Sequence, residues 1–169
     1  MINITTPRLE ERPEQPYVYI RCHVGMGEIE PKATSLVPQV FQWLAQHDVE
    51  PEGPVLFRYN VVDMESEMEI DVGVILKKPV AGDARVKAGK VPPGTYVTLR
   101  HTGHPDELME ATRLLLEWGD KNKVKWLKQQ HGKTGEAWDA RFEFYVDGPD
   151  TQPDMSKWRS DLAFRVESR

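Results

Sequence analysis

The sequence predicts an α+β fold made of two tandem β-α-β-β units. Each unit is an antiparallel sheet with its helix on one face. A pseudo-twofold axis relates the two, and a ligand cleft lies between them. Two observations predict this. Hydrophobic periodicity switches between strand-like and helix-like in the same order twice: strand, helix, strand, strand. Particular residues also recur in both halves: His23-Val-Gly25 with His101-Thr-Gly103, Trp43 with Trp118, Tyr59 with Tyr145, and Asp71 with Asp161. A period of roughly 80 residues with one helix in each is too long for a solenoid repeat and indicates fused half-domains. The expected organisation is one domain over 1–169, divided into a half-repeat at 16–77, a linker at 78–93 and a half-repeat at 94–166.

Residues 1–15 carry Pro7, Pro13 and many charges, and read as an extended arm or short edge strand. Residues 17–24 are β-branched and aromatic, a strand that Gly25 and Gly27 end. Ser35 is the expected N-cap of a helix over 36–47, with Pro38 tolerated in its first turn. Leu36, Val40 and Leu44 recur every fourth position and form its apolar face. Pro and Gly mark 51–54 as a loop. Strands follow at 55–62 and 67–76, with a turn between them. The stretch 77–93 is rich in Pro, Gly and Lys and reads as linker. The order then restarts with a strand at 94–102. A helix over 105–120 follows, capped by Thr102 or His104, with Asp106 and Glu107 suited to its positive end. Leu108, Thr112, Leu115 and Leu116 form its expected stripe. Residues 131–136 read as a polar loop, and strands close the chain at 139–146 and 158–166.

Composition narrows the function. Lys plus Arg is 22 and Asp plus Glu is 27, a net charge of −5. Nucleic-acid binders present a basic face, so direct DNA or RNA binding is not expected. No run approaches the roughly 20 apolar residues that span a bilayer, and no charged-then-apolar leader opens the chain. A single cysteine, Cys22, excludes an internal disulfide and reads as a buried strand residue. The five histidines have no metal-ligand spacing, and there is no phosphate loop, dinucleotide fingerprint or nucleophile elbow. The expectation is a cytoplasmic protein with no metal, no cofactor and no membrane partner. Because duplication already supplies the second half, it is expected to be a monomer.

The sharpest local signal is Arg141-Phe-Glu-Phe-Tyr145. Strand alternation puts Phe142 and Phe144 on one face, expected to pack under the helices, and Glu143 with Tyr145 on the other. Under the repeat, Phe57 is the counterpart of Glu143. A carboxylate flanked by aromatics suits a cationic or polar ligand, because ring faces attract the cation and the acid neutralises it. Five Trp and five Tyr make the chain rich in such rings. Tyr59, Tyr96, Trp118, Trp126, Trp138 and Tyr145 are expected to wall one cleft around Glu143. Asp71 and Asp161 suit a structural role, as short acids beside strands often hold backbone groups.

Three motifs carry a family resemblance: VPPGTYVTLRHTG (91–103), ARFEFYVDGPDTQPD (140–154) and WRSDLAFRV (158–166). The first half adds VYIRCHVG (18–25) and FRYNVVD (57–63). Together they resemble the GyrI-like small-molecule-binding domain. That domain is also the effector-binding part of some AraC-type and MerR-type multidrug-responsive regulators. The resemblance spans roughly residues 8–166. It implies a pseudo-symmetric α+β fold with a central aromatic cleft. The acid on its Glu-x-Tyr strand falls on Glu143, and the accompanying aromatic on Tyr145.

Three function classes follow. The leading one is a stand-alone protein that captures amphipathic, aromatic or cationic small molecules in an aromatic cleft with a central carboxylate. The second is a hydrolase of reactive electrophilic compounds, with Glu143 as general acid or base through water and Tyr145 orienting the substrate. The third is a protein-interaction module of gyrase-inhibitor type. Binding and hydrolysis call on nearly the same residues, so the residue pattern leaves the choice between them open.

Overall fold

The computed structural model describes residues 2–168. Its strands are β1 (Asn3–Ile4), β2 (Arg8–Arg12), β3 (Gln15–Val24), β4 (Pro51–Val62), β5 (Met68–Leu76), β6 (Lys87–Val91) and β7 (Gly94–Thr102), followed by β8 (Lys128–His131), β9 (Gly135–Trp138), β10 (Arg141–Tyr145) and β11 (Arg159–Arg165). Two α-helices, α1 (Leu36–Gln46) and α2 (Leu108–Lys121), complete an α+β fold.

The strands form one antiparallel sheet, in the order β1-β7-β11-β10-β4-β5-β3-β6. The central six read as first, third and second strands of the second half, then second, third and first of the first half. The two halves are therefore not separate small sheets. They join edge to edge through β10 and β4, where Glu143 stands directly opposite Phe57. That join removes two exposed sheet edges, each of which would offer unpaired backbone groups.

Several sequence expectations need correction. The linker region contains β6, which pairs with β3. Its two lysines, Lys87 and Lys90, occupy an edge strand, the place where lysine blocks further strand addition. The loop at 51–54 is the start of β4, with a register shift before Val55. The polar loop at 131–136 is the turn of a hairpin between β8 and β9, and β9 also pairs with β4. Pro, Gly and Lys content reads as loop, but it does not prevent pairing at an edge. The arm at 1–15 does form edge strands, with β1 and β2 both on β7.

Helix α1 is entered through a 3-10 turn (Met26–Glu28) and a π-helical turn (Ile29–Ala33). Ser35 is already helical and does not cap it; its hydroxyl donates to the carbonyl of Lys32. Val40, Trp43 and Leu44 are its buried face. Helix α2 follows a 3-10 turn (Pro105–Glu107) that His104 caps, its Nδ1 accepting from the Asp106 amide at 3.1 Å. The buried stripe of α2 is Leu108, Ala111, Leu115 and Gly119, with Thr112 and Leu116 at its flank. Gly119 has a specific reason to be glycine: a Cβ there would lie 2.1 Å from the Trp126 ring. Alanine is the better helix former by about 1 kcal/mol. Even so, Gly119→Ala is expected to lower stability by roughly 1–3 kcal/mol, because the ring must move. Thermal unfolding measures this, and a variant as stable as the parent would contradict it.

Both helices lie on one face of the sheet. α1 packs with Val18, Val74 and Leu76, and α2 with Val97, Leu99, Leu162 and Phe164. The other face carries a core of Tyr17, Leu56, Ile75, Tyr96, Phe142, Phe144 and Ala163. Phe142 and Phe144 thus point away from the helices, contrary to expectation. Alternation tells which residues share a face, but not which face the helices cover. This second core also shows how the sheet is shaped. In a flat sheet, β3 and β10 would stand about 14 Å apart, three steps of about 4.8 Å. The Tyr17 and Phe142 rings are nevertheless 6.3 Å apart. The sheet therefore curls towards this face and closes on its own aromatics.

Asp71 and Asp161 have matching roles. Arg21 reaches Asp71 through two hydrogen bonds, the shorter 2.7 Å, and Arg100 reaches Asp161 through two, also 2.7 Å at the shorter. Each arginine sits directly across the ladder from its acid. These are structural pairs. They also show that the histidine correspondence is displaced by one residue. Arg21 matches Arg100 by position in the ladder, so His23 does not match His101. A one-residue slip turns a strand side chain to the other face. His23 is accordingly solvent-exposed, whereas His101 is fully buried with its Nε2 2.8 Å from Glu107. Cys22 is half-buried rather than buried, and its surroundings raise its thiol pKa, chiefly through desolvation. Among the described residues, no helix is long and apolar enough to cross a membrane.

Candidate functional site

The centre of the sheet, on the helix side, is where β4 and β10 pair. β4 supplies Phe57 and Tyr59, and β10 supplies Arg141, Glu143 and Tyr145. The period of two puts each set on one face. Tyr145 and Val62 pack against both helix-side cores, the one under α2 and the one under the start of α1. The site therefore lies on the sheet between the two helices.

Glu143 is buried, with 9% of its surface exposed. Its Oε1 accepts from the Tyr59 hydroxyl at 3.2 Å and, more closely, from the Tyr145 hydroxyl. Oε2 takes no donor from the described residues. Nor does Glu143 form an ion pair with any of them. Burial pushes its carboxyl above the usual carboxylate range, opposed by the Tyr145 hydroxyl, the Arg141 charge and the Tyr59 hydroxyl. Both tyrosines are held well above the usual phenol range, by burial first and then by the adjacent carboxylate. They act as neutral donors. A carboxylate clasped on one oxygen by two phenols keeps its orientation and leaves its other oxygen available for a partner.

Aromatic packing fixes the Tyr145 phenol, and Arg141 lies over the Tyr59 ring. Phe57 meets Tyr145 edge to face, with centroids 4.9 Å apart and planes at 81°. Beyond Glu143, Arg141 lays its guanidinium against Phe164, Trp138 and Tyr59. Trp138 is 5.4 Å from Phe164 and 5.8 Å from Trp126.

Of the sequence-predicted residues, Glu143, Tyr145, Tyr59 and Phe57 come together. Trp138 joins them through Arg141, and Trp126 stands behind Trp138 with its Nε1 donating to Asp120 at 3.0 Å. Trp118 packs into the α2 core near the C-terminal end of that helix. Tyr96 is the clear departure. It lies on the opposite face, fully buried, its hydroxyl donating to the Pro92 carbonyl at 2.7 Å. The strand holding it places even-numbered positions away from the helices, a fact that ring content alone does not reveal. Two residues were missed. Arg141 shares a face with Glu143 and Tyr145 by the same alternation, so its signal was present. Phe164 arrives from β11, and only the sheet order brings it near. Among the described residues, no group of three or more His, Cys, Asp or Glu is placed to hold a metal ion.

The fold is similar to the EcmrR C-terminal domain, with a TM-score of 0.79 and 20% identity over 97% of this chain and 98% of that one. Against EcmrR in its DNA complex, the TM-score and identity are the same, but this chain spans only 58% of that chain. SAV2435 bound to tetraphenylphosphonium is similar at a TM-score of 0.62 and 12% identity, covering 97% of this chain and 95% of that one. A hydrolase from Listeria innocua is similar at 0.53 and 11%, covering 95% and 91%. No curated protein matches by sequence. Residues 5–167 match the model of the GyrI-like small molecule binding domain, and the chain belongs to that family of small-molecule-binding domains.

Proposed function

We propose that this chain captures amphipathic aromatic compounds, cations among them, on the sheet between α1 and α2, with Glu143 as the polar anchor. One observation carries the reading. Glu143 is buried without an ion pair, and two tyrosines hold one of its oxygens while the other has no donor. Burying a carboxylate this way costs free energy. A ligand that supplies positive charge or a donor offsets that cost. The similarity to a protein whose structure holds tetraphenylphosphonium supports the same ligand class. The site belongs to one ligand-binding domain, made of half-repeats at 16–77 and 94–166 that meet at the β4–β10 pair.

Tetraphenylphosphonium is a suitable probe, read by quenching of Trp138 and Trp126 fluorescence. Only ionised Glu143 attracts a cation. Its carboxyl titrates above the usual carboxylate range, so affinity should fall as pH is lowered towards 4.5 and be regained at pH 8. A neutral compound of similar shape should show no such change. A flat profile for the cation would overturn Glu143 as the anchor.

A second reading has one observation in its favour. A carboxyl held above its usual range beside a phenol is poised to pass a proton through water, as hydrolysis of an electrophilic compound requires. Steady turnover of an activated ester, lost in Glu143→Gln with substrate binding kept, would establish it over simple capture.

A further inference from the structure

Arg141 is a cation that already sits inside the site. Its guanidinium carbon lies 4.5 Å from the Phe164 ring centroid, 5.0 Å from Trp138 and 5.8 Å from Tyr59. It stands two residues before Glu143 on β10, on the same face. Arginine usually holds carboxylates through paired N–H bonds. Arg21 with Asp71 and Arg100 with Asp161 do so in this protein. Arg141 does not. Among the described residues its guanidinium donates no hydrogen bond and forms no ion pair, and it is held by ring faces. Burial lowers its pKa, opposed electrostatically by Glu143, Tyr59 and Glu136. Rings around a cation beside a carboxylate is the arrangement an organic cation would itself seek.

Resting on the reading of Glu143 as the ligand anchor, we infer that Arg141 is a resident counter-cation that sets the charge of the ligand this site accepts. With the guanidinium in place, its charge acts on Glu143 without contacting the carboxylate, and the Tyr59, Trp138 and Phe164 faces are occupied. A lipophilic cation is repelled by that charge and competes with it for those rings, whereas a neutral aromatic compound is not repelled. Arg141 is thus a specificity-determining residue that restrains binding of cations without touching the anchoring oxygen.

The test compares tetraphenylphosphonium with neutral triphenylphosphine oxide on the full chain at pH 8. Arg141→Met should raise affinity for the cation by at least about tenfold and leave the neutral compound within about threefold. Arg141→Lys keeps the charge and should stay close to the parent. Should the Met variant not fold, Arg141→Gln, planar and uncharged against the same rings, carries the same expectation. An equal gain for both probes would mean that Arg141 merely fills space, and no gain would mean that its charge is not felt; either overturns the inference. Adding Glu143→Gln to Arg141→Met should remove the gain, and a gain that persists also overturns it. Glu143→Gln alone reports separately on the anchor, so failure of that reading is distinguishable from failure of this one.

Discussion

Replacing Glu143 by glutamine is expected to weaken tetraphenylphosphonium binding by at least about tenfold, roughly 1.4 kcal/mol. Glutamine keeps the shape and can still accept from Tyr59 and Tyr145, so the change isolates charge. The loss should be large because the carboxylate is buried, where a charge pair is screened far less than at the surface. Removing the acid also leaves Arg141 as an uncompensated positive charge beside the bound cation. Stability should lose part of its dependence on pH. The folded protein holds the Glu143 proton more tightly than the unfolded chain does. The stabilisation from that tighter binding is fully present below the usual carboxylate pKa, and is lost as pH rises through the raised value. Above that raised value the wild-type protein bears the cost of an ionised buried acid. The variant is free of that cost but leaves Arg141 without its counter-charge, so the expected signature is unfolding that depends less on pH between 4 and 7. Calorimetric titration of the cation and urea unfolding across that range check both statements. Unchanged affinity in the variant would remove Glu143 from the site.

Phe142→Ala is expected to cost about 3–5 kcal/mol of folding stability, the largest loss at any single position considered. Phe142 is fully buried at the middle of the sheet. Its ring stacks on Phe144 at 5.1 Å and meets Tyr17 at 6.3 Å and Tyr96 at 6.4 Å. Arg58 covers its face at 5.1 Å. These neighbours come from β3, β4, β7 and β10, so the ring fills the space into which the two wings of the sheet curl. Truncation leaves a cavity that several strands would have to close together, and a curled sheet cannot close it without losing register. Urea unfolding measures the loss. A cost below about 1 kcal/mol would mean that the curl does not depend on this core. Because Phe142 lies on the face opposite Glu143, ligand affinity of the folded fraction should change little.

How much of this was legible in the residues differs by level. The two helices and the main strands follow from local periodicity, which depends only on near neighbours in the chain. Glu143 and Tyr145 share a face because side chains alternate along β10, and Arg141 obeys the same rule. The pairing of Tyr59 with Tyr145 around one acid follows from the recurrence of the halves. The edge strand β6 reads as linker, because its polar, glycine-containing sequence has no strong preference of its own and pairs only where β3 offers its edge.

By itself the sequence determined the α+β class, the order of strands and helices, the negative balance of charge, and a carboxylate set among aromatics on one strand face. Local rules suffice for these, since each concerns residues within a few positions of one another. Tertiary structure alone decided that the halves join as one sheet through β4 and β10, and that this sheet curls around Phe142 and Phe144 rather than laying them under the helices. It alone took Tyr96 to the far face and brought Phe164 and Trp138 to Arg141. The reason is that alternation sorts side chains into two faces but cannot say which face the helices cover. That choice depends on how distant strands pair and on the direction in which the finished sheet bends.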